Sequence, residues 1–233
     1  MYKMENIILK VKNLNVELGG EKIISDLSFE VKERETLMIL GPNGAGKTIL
    51  LRTLMGFLPF RGDIQWRKGI KIGYVPQRLP LIKDIPLSIE DFFDLKKVTK
   101  KKIIDSLNSV GIKDPSLLKK RIGAISSGQF QRILVAWGLI GDPQVLLFDE
   151  PTSGIDLGGE ETIYGLLEKL KKEKGLTIFL VTHDLSIVSR QATNVLCFNK
   201  KMLCYGPPQE IINSQNLSQL FGEEISFYQH KHE

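Results

Sequence analysis

The sequence predicts an α/β fold: a parallel sheet covered by helices, with an antiparallel sheet at its N-terminal side. Three observations carry this expectation. First, "TLMIL" (36–40), "VLLF" (145–148) and "TIFLV" (177–181) are uninterrupted apolar runs, and strands of that kind are buried on both faces. Second, helical patterns follow each of them, in "KTILLRTLMGF", "EETIYGLLEKLKKEK" and "LSIVSRQA". Third, "ILKVKNLNVEL" and "DLSFEVK" alternate in polarity, as half-buried strands do, on either side of the turn "GGEK".

Taken in chain order, the two alternating strands come first and the first buried strand ends at Gly41. The long helix-forming run from Lys47 follows it, then a short strand leading to "YVPQ". From about 85 to 141 the pattern turns helical. "SIEDFFDL" opens on Ser88-x-x-Asp91, which resembles a capping box, and "TKKKIIDSLNSVG" stops at Gly111, a helix-ending glycine. We therefore expect one domain over 1–233, with an α/β core from 1–84 and 142–233 and a helical subdomain at 85–141. "NVLCFNKKMLCYG" reads as a hairpin turning at Lys200 and Lys201, which sets Cys197 opposite Cys204. In a reducing compartment the two cysteines are expected to stay reduced and buried, and without nearby histidines they make no zinc site.

Composition narrows the function classes. The 233 residues carry a formal charge of +5, with 42% hydrophobic and 25% charged residues, as soluble globular chains do. No apolar run approaches the ~20 residues that span a bilayer, and the N-terminus lacks a secretory pattern. A cytosolic protein is expected, so that any membrane role needs a spanning partner. The lysines of "KKVTKKK" (96–102) read as a solvated helix face, and no aromatic interleaving supports a nucleic-acid partner.

Chemistry concentrates in a few motifs. "GPNGAGKT" (41–48) is a complete phosphate loop between a buried strand and a helix. Gly41, Pro42, Asn43, Gly44, Ala45 and Gly46 would curl their N–H groups around phosphates, with Ile49 in the helix behind them. Lys47 would reach the β- and γ-phosphates, and Thr48 would hold Mg²⁺. "VLLFDEPTSGID" puts Asp149 at a strand's carboxyl end, suited to a Mg²⁺ shell, and Glu150 beside it, suited to polarising an attacking water. "VTHDLS" sets His183 beyond another buried strand, placed to meet a γ-phosphate, and Gln77 sits in a turn after a short strand. "IGAISSGQFQR" offers a second anion-binding helix start at Ser126, Ser127, Gly128 and Gln129, without a lysine.

In order and spacing, residues 41–48, Gln77, 126–129, 145–150, 153–156 and His183 resemble the ATP-binding subunits of ABC transporters. The resemblance implies a P-loop NTPase fold of ABC type, and it assigns these stretches as Walker A loop, Q-loop, signature motif, Walker B, D-loop and H-loop. It implies ATP and Mg²⁺ as cofactors, with Thr48, Gln77 and Asp149 around the metal and Glu150, His183, Lys47 and Gln77 in catalysis. It also implies a head-to-tail homodimer in the ATP-bound state, in which the signature helix of one subunit meets the γ-phosphate on the other. The remaining partners would be integral-membrane permease subunits and, indirectly, an extracytoplasmic substrate-binding protein. The chain would then sit peripherally on the cytoplasmic face of the membrane.

Two positions depart from the family's pattern: Ser127 stands where the signature usually has glycine, and Leu18 stands where an aromatic ring usually stacks on adenine. "GIKIGYVPQRLPL", "VLCFNKKMLCYGPPQE" and "LSQLFG" look like the ATPases of zinc and manganese importers, with ATPases for iron chelates or haem as the alternative within transport. A soluble ABC ATPase of an assembly pathway is the alternative outside it. His230 and His232 close the chain in what reads as a frayed tail.

Overall fold

The computed structural model describes residues 6–77, 86–151 and 157–222, with the backbone alone for 157–161 and 214. Two compact units divide the chain, one made of Met1–Lys68 with Phe179–Glu233 and the other of Gly69–Ile178.

The first unit opens with β1 (Ile7–Leu18) and β2 (Glu21–Lys32), an antiparallel pair. Leu18 pairs with Glu21, so the turn is only Gly19 and Gly20, with φ 60° and 81°. A two-residue hairpin turn that follows the strands' twist requires this left-handed pair. Buried Ile8, Leu9, Val11, Leu14 and Val16 of β1 face the core. β4 (Arg61–Trp66) pairs with the other side of β1, giving the order β2-β1-β4. The alternation seen in the sequence missed β4, whose residues are exposed or half-buried throughout.

β3 (Thr36–Leu40) belongs to a separate sheet and is buried at every residue, as its continuous apolar run requires. It runs parallel to β8 (Asn194–Asn199), which folds back antiparallel into β9 (Lys201–Gly206). α1 (Lys47–Leu54) follows β3, and α6 (Leu185–Gln191), α7 (Pro208–Ile211) and α8 (Ser214–Phe221) complete the unit. β7 (Thr177–Val181) is also wholly buried, and the division between the units falls within it.

The cysteine expectation needs correction. Cys197 and Cys204 form a disulfide, with Cα atoms 4.9 Å apart. They do face each other, but not through a two-residue turn. Asn199 pairs with Lys201, leaving Lys200 alone at the tip with φ 59°, and a register shift between Cys197 and Phe198 restores the Cys197–Cys204 pairing. Direct cross-strand placement brings the two sulfurs within bonding reach.

In the second unit β5 (Ile72–Val75) runs parallel to β6 (Val145–Asp149), which is fully buried. Among the described residues the α-helices that accompany them are α2 (Ile89–Asp94), α3 (Lys100–Ser109), α4 (Ser127–Leu139) and α5 (Leu157–Lys174). The expected capping box is present at α2, where the Ser88 side chain accepts from the Asp91 N–H and the Asp91 carboxylate accepts from the Ser88 N–H. Beyond α3, Gly111 takes φ 83° while Ile112 N–H reaches back to the Leu107 carbonyl, which closes the helix.

Helix α4 is locked in place on both sides. The Ser106 hydroxyl of α3 donates to the Ala136 carbonyl, and Phe92 of α2 stacks on Trp137 at 4.2 Å between ring centroids. The Lys96 ammonium lies 4.7 Å from the Trp137 ring centroid, and partial burial pulls its pKa below the usual lysine value. On its other side α4 meets β5 so closely that a Cβ on Gly73 would lie 2.2 Å from the Gly138 carbonyl oxygen.

Candidate functional site

β3 delivers the chain to the phosphate loop at Gly41. A Cβ there would sit 2.0 Å from the Phe198 carbonyl oxygen, so the loop's first position admits only glycine. Gly44 and Gly46 take φ 78° and 96°, which curls the backbone before α1 begins at Lys47. Gly46 is the N-cap and supplies no side-chain hydrogen bond, so side-chain capping does not occupy the N–H groups of the first turn. Aligned peptide dipoles place partial positive charge at that end. The Lys47 ammonium is folded into the loop, donating to the carbonyls of Gly41 at 2.8 Å and Pro42 at 2.9 Å, and Lys47 is buried. Thr48 follows as the second residue of α1, with Ile49 after it, both half-buried. Asn43 and Gly44 are exposed at the loop's crest.

His183 belongs to this same unit. It is exposed just before α6, where Asp184 caps the helix by accepting from Ser186 N–H and Ile187 N–H. Leu18 is the half-buried last residue of β1.

The carboxylates lie in the other unit, and the strand register explains how they are held. Tyr74 pairs with Leu147 and Val75 with Phe148, and the same offset carried two residues further sets Gln77 opposite Glu150. The Gln77 side chain donates through Nε2 to Glu150 Oε2 at 2.6 Å. A carboxylate can only accept, so the amide nitrogen must face Glu150 and the amide oxygen is turned elsewhere. Glu150 itself takes φ 45°, a left-handed conformation uncommon outside glycine, as the chain leaves the sheet. Asp149 is buried at the strand end, and the Tyr74 hydroxyl donates to its Oδ2 at 3.3 Å. Tyr74 went unnoticed in the sequence. The signal was its position on the short strand, three residues before Gln77.

The third set is the start of α4. Ser126 is the N-cap, its hydroxyl accepting from Gln129 N–H at 3.2 Å while Gln129 Oε1 accepts from Ser126 N–H at 3.2 Å. This capping box uses the N–H groups of Ser126 and Gln129 and leaves those of Ser127 and Gly128, in the first turn, outside it. Nothing lies within 4 Å of the position a Gly128 Cβ would take, so that face opens to solvent. The 153–156 stretch, His230 and His232 lie outside the described residues.

Among the described residues no helix is long and apolar enough to cross a membrane. The sequence profile of the ABC transporter family matches residues 24–153, more than half of the chain. Zinc import ATP-binding protein ZnuC of Cereibacter sphaeroides is 37% identical over 229 residues, spanning 96% of this chain and 93% of that protein. The protein of the same name from Yersinia pseudotuberculosis is 36% identical over 235 residues, spanning 98% and 92%. Among solved structures, a metal-chelate type ABC transporter in an inward-facing conformation superposes with a TM-score of 0.82 at 27% identity, covering 93% of this chain and 89% of that one. With its phosphate loop, its strand-end carboxylates and its capped signature helix, the chain belongs to the ABC transporter family, as an ATP-binding and ATP-hydrolysing subunit.

Proposed function

We propose that the chain powers uptake of a divalent metal ion, zinc or manganese, through separate integral-membrane permease subunits. The observation that carries this reading is the near full-length identity with zinc import ATP-binding proteins, 37% over 96% of the chain. An extracytoplasmic binding protein would hand the metal to the permease. The subunit itself would sit on the cytoplasmic face, its cargo never touching it.

In this reading the N–H groups of 41–46 and the start of α1 bind the phosphates of ATP, and Lys47 exchanges its bonds to Gly41 and Pro42 for phosphate oxygens. The Thr48 hydroxyl, the Asp149 carboxylate and the Gln77 amide oxygen are all hard oxygen donors, the set that Mg²⁺ prefers. Mg²⁺ would neutralise charge on the phosphates. Glu150 takes a proton from the attacking water, and the hydrogen bond that Gln77 donates to it fixes the carboxylate's rotamer. His183 meets the γ-phosphate, and Ser126 with Gly128 contacts the nucleotide held by the opposite copy of a homodimer.

The test is cellular zinc, manganese and iron content in cells carrying Lys47→Ala under metal limitation. Loss of zinc or manganese, restored by adding that ion, is the expected result. Unchanged zinc and manganese, in cells lacking redundant uptake, would sink the metal reading. Import of a metal chelate is the second reading, favoured by the likeness to the metal-chelate type transporter. It predicts loss of iron in the same cells.

A further inference from the structure

The phosphate loop is held from behind by an element that takes no part in the chemistry. At the tip of the β8–β9 hairpin, Lys200 N–H donates to the Ala45 carbonyl inside the loop at 3.1 Å. The Lys200 carbonyl accepts from Ser25 N–H of β2 at 2.7 Å. Its ammonium pairs with Glu21 at 2.8 Å, and that contact holds the Glu21 carboxyl below its usual pKa. Just before the tip, the Phe198 carbonyl abuts Gly41, and the Phe198 ring with Ile23 closes on Gly46. Both ends of the loop therefore rest on one short hairpin.

That hairpin carries the chain's only two cysteines, bridged directly below the register shift that sets up the tip. The next residue of β9, Tyr205, donates its hydroxyl to the Glu30 carbonyl of β2. Burial, with the carboxylates of Glu35 and then Glu30 nearby, pushes the Tyr205 phenol up to about 12, so it remains a donor at physiological pH. Cys197 is fully buried and tied to β3 through the parallel ladder, where Leu40, the residue before the loop, pairs with it.

We propose that the β8–β9 hairpin is a positioning element of the nucleotide site, and that the thiol–disulfide state of Cys197 and Cys204 sets how firmly its tip holds the phosphate loop. The bridged form fixes β9 against β8 at the base of the bulge, so Phe198 and Lys200 present one preorganised face to Gly41, Ala45 and Gly46. The dithiol form leaves only the strand hydrogen bonds to hold that register. A preorganised loop binds phosphate with less ordering cost, so the bridged form binds ATP more tightly. Interconversion is thiol–disulfide exchange with a low-molecular-weight disulfide such as oxidised glutathione. One thiolate attacks the glutathione disulfide and releases a glutathione thiol. The second cysteine then displaces the other glutathione, so two protein thiols are oxidised as one disulfide is reduced to two thiols.

The experiment measures binding of a fluorescent ATP analogue, and separately kcat at saturating MgATP, on the full chain. Protein oxidised with glutathione disulfide is compared with protein reduced by dithiothreitol, the bridge being counted by mass spectrometry after alkylation. Reduction is expected to weaken analogue binding by about three- to tenfold while kcat changes less than about twofold. Cys204→Ser is expected to match the reduced form and to ignore glutathione. Glu21→Gln, which loosens the tip without touching the sulfurs, is expected to weaken binding in the same direction. Equal affinity of the bridged and reduced proteins overturns the proposal, as does a chain whose thiols both remain alkylatable after oxidation. Should Cys204→Ser fail to fold, reversible reduction of the unaltered chain decides alone.

Discussion

The Gln77 side-chain amide donates to Glu150 at 2.6 Å, and the contact follows from strand register. The parallel pairing of β5 and β6 brings residues far apart in sequence to the same height at the sheet's carboxyl end, where α/β sheets hold ligands. The single substitution that separates chemistry from geometry here is Glu150→Gln. A glutamine keeps the side chain's length and can still accept from Gln77 through its amide oxygen, but it no longer takes a proton. Steady-state ATP hydrolysis is expected to fall by roughly 10²–10⁴, with affinity for ATP within a few fold of the unaltered protein. An enzyme that keeps most of its turnover would mean that another group activates the water. The identities of Lys47, Asp149, Glu150 and His183 were legible as residue types at fixed offsets from buried strands. Their hydrogen bonds were not, because partner choice depends on which strands lie side by side. Tyr74 is the clear case: nothing local says that its hydroxyl will reach Asp149.

Burial on both faces made β3, β6 and β7 readable, since each is a run of five residues with no polar interruption on the apolar stretch. β4 escaped because it pairs along one side of β1 with residues exposed or half-buried, so its polarity carries no period. The hairpin of β8 and β9 was found, but its single-residue tip and compensating bulge were not, since a shift in register leaves no trace in composition. Close approach of elements is equally silent, and Gly73 is its sharpest instance. Within a strand it reads as a weak position, yet its missing side chain is what admits the Gly138 carbonyl of α4. An added methyl would lie 2.2 Å from that oxygen and 2.6 Å from Leu146 Cδ2, and the oxygen is backbone on a helix fixed by α2 and α3. Gly73→Ala is therefore expected to cost about 2–3 kcal/mol. For a chain of this length that lowers the melting temperature by roughly 5–10 °C in a thermal unfolding scan. A shift of less than a degree would show that α4 can slide on β5, and with it the signature motif at its start.

At the scale of the whole molecule the chain presents two helix starts suited to anions, one at Lys47 behind the phosphate loop and one at Ser127 behind the signature serine. The second carries no lysine, and its capping box uses only the N–H groups of Ser126 and Gln129, leaving Ser127 and Gly128 beside an open face. A free-standing phosphate site would be poor with so little positive charge. As a lid on a phosphate already held by another copy's Lys47, it needs none. In that arrangement ATP is the link between two subunits, and each copy supplies both the held and the covering surface, as a two-fold dimer requires. Ser127 adds a hydroxyl at the first helical position, where glycine would leave bare backbone, but it is exposed and blocks neither Ser126 nor Gly128. The dimer should therefore form despite it. In that arrangement hydrolysis would dissolve the link, so the chain with Glu150→Gln is the form in which to look for it. With saturating MgATP this variant is expected to sediment and scatter light as a dimer, returning to monomer when Mg²⁺ is chelated and nucleotide removed. Ser126→Arg in the same background, which sets bulk and charge on the covering surface, is expected to hold it monomeric while ATP still binds. A variant that remains monomeric at every nucleotide concentration, with bound ATP demonstrated, would remove the sandwich from the mechanism and leave the start of α4 without a ligand.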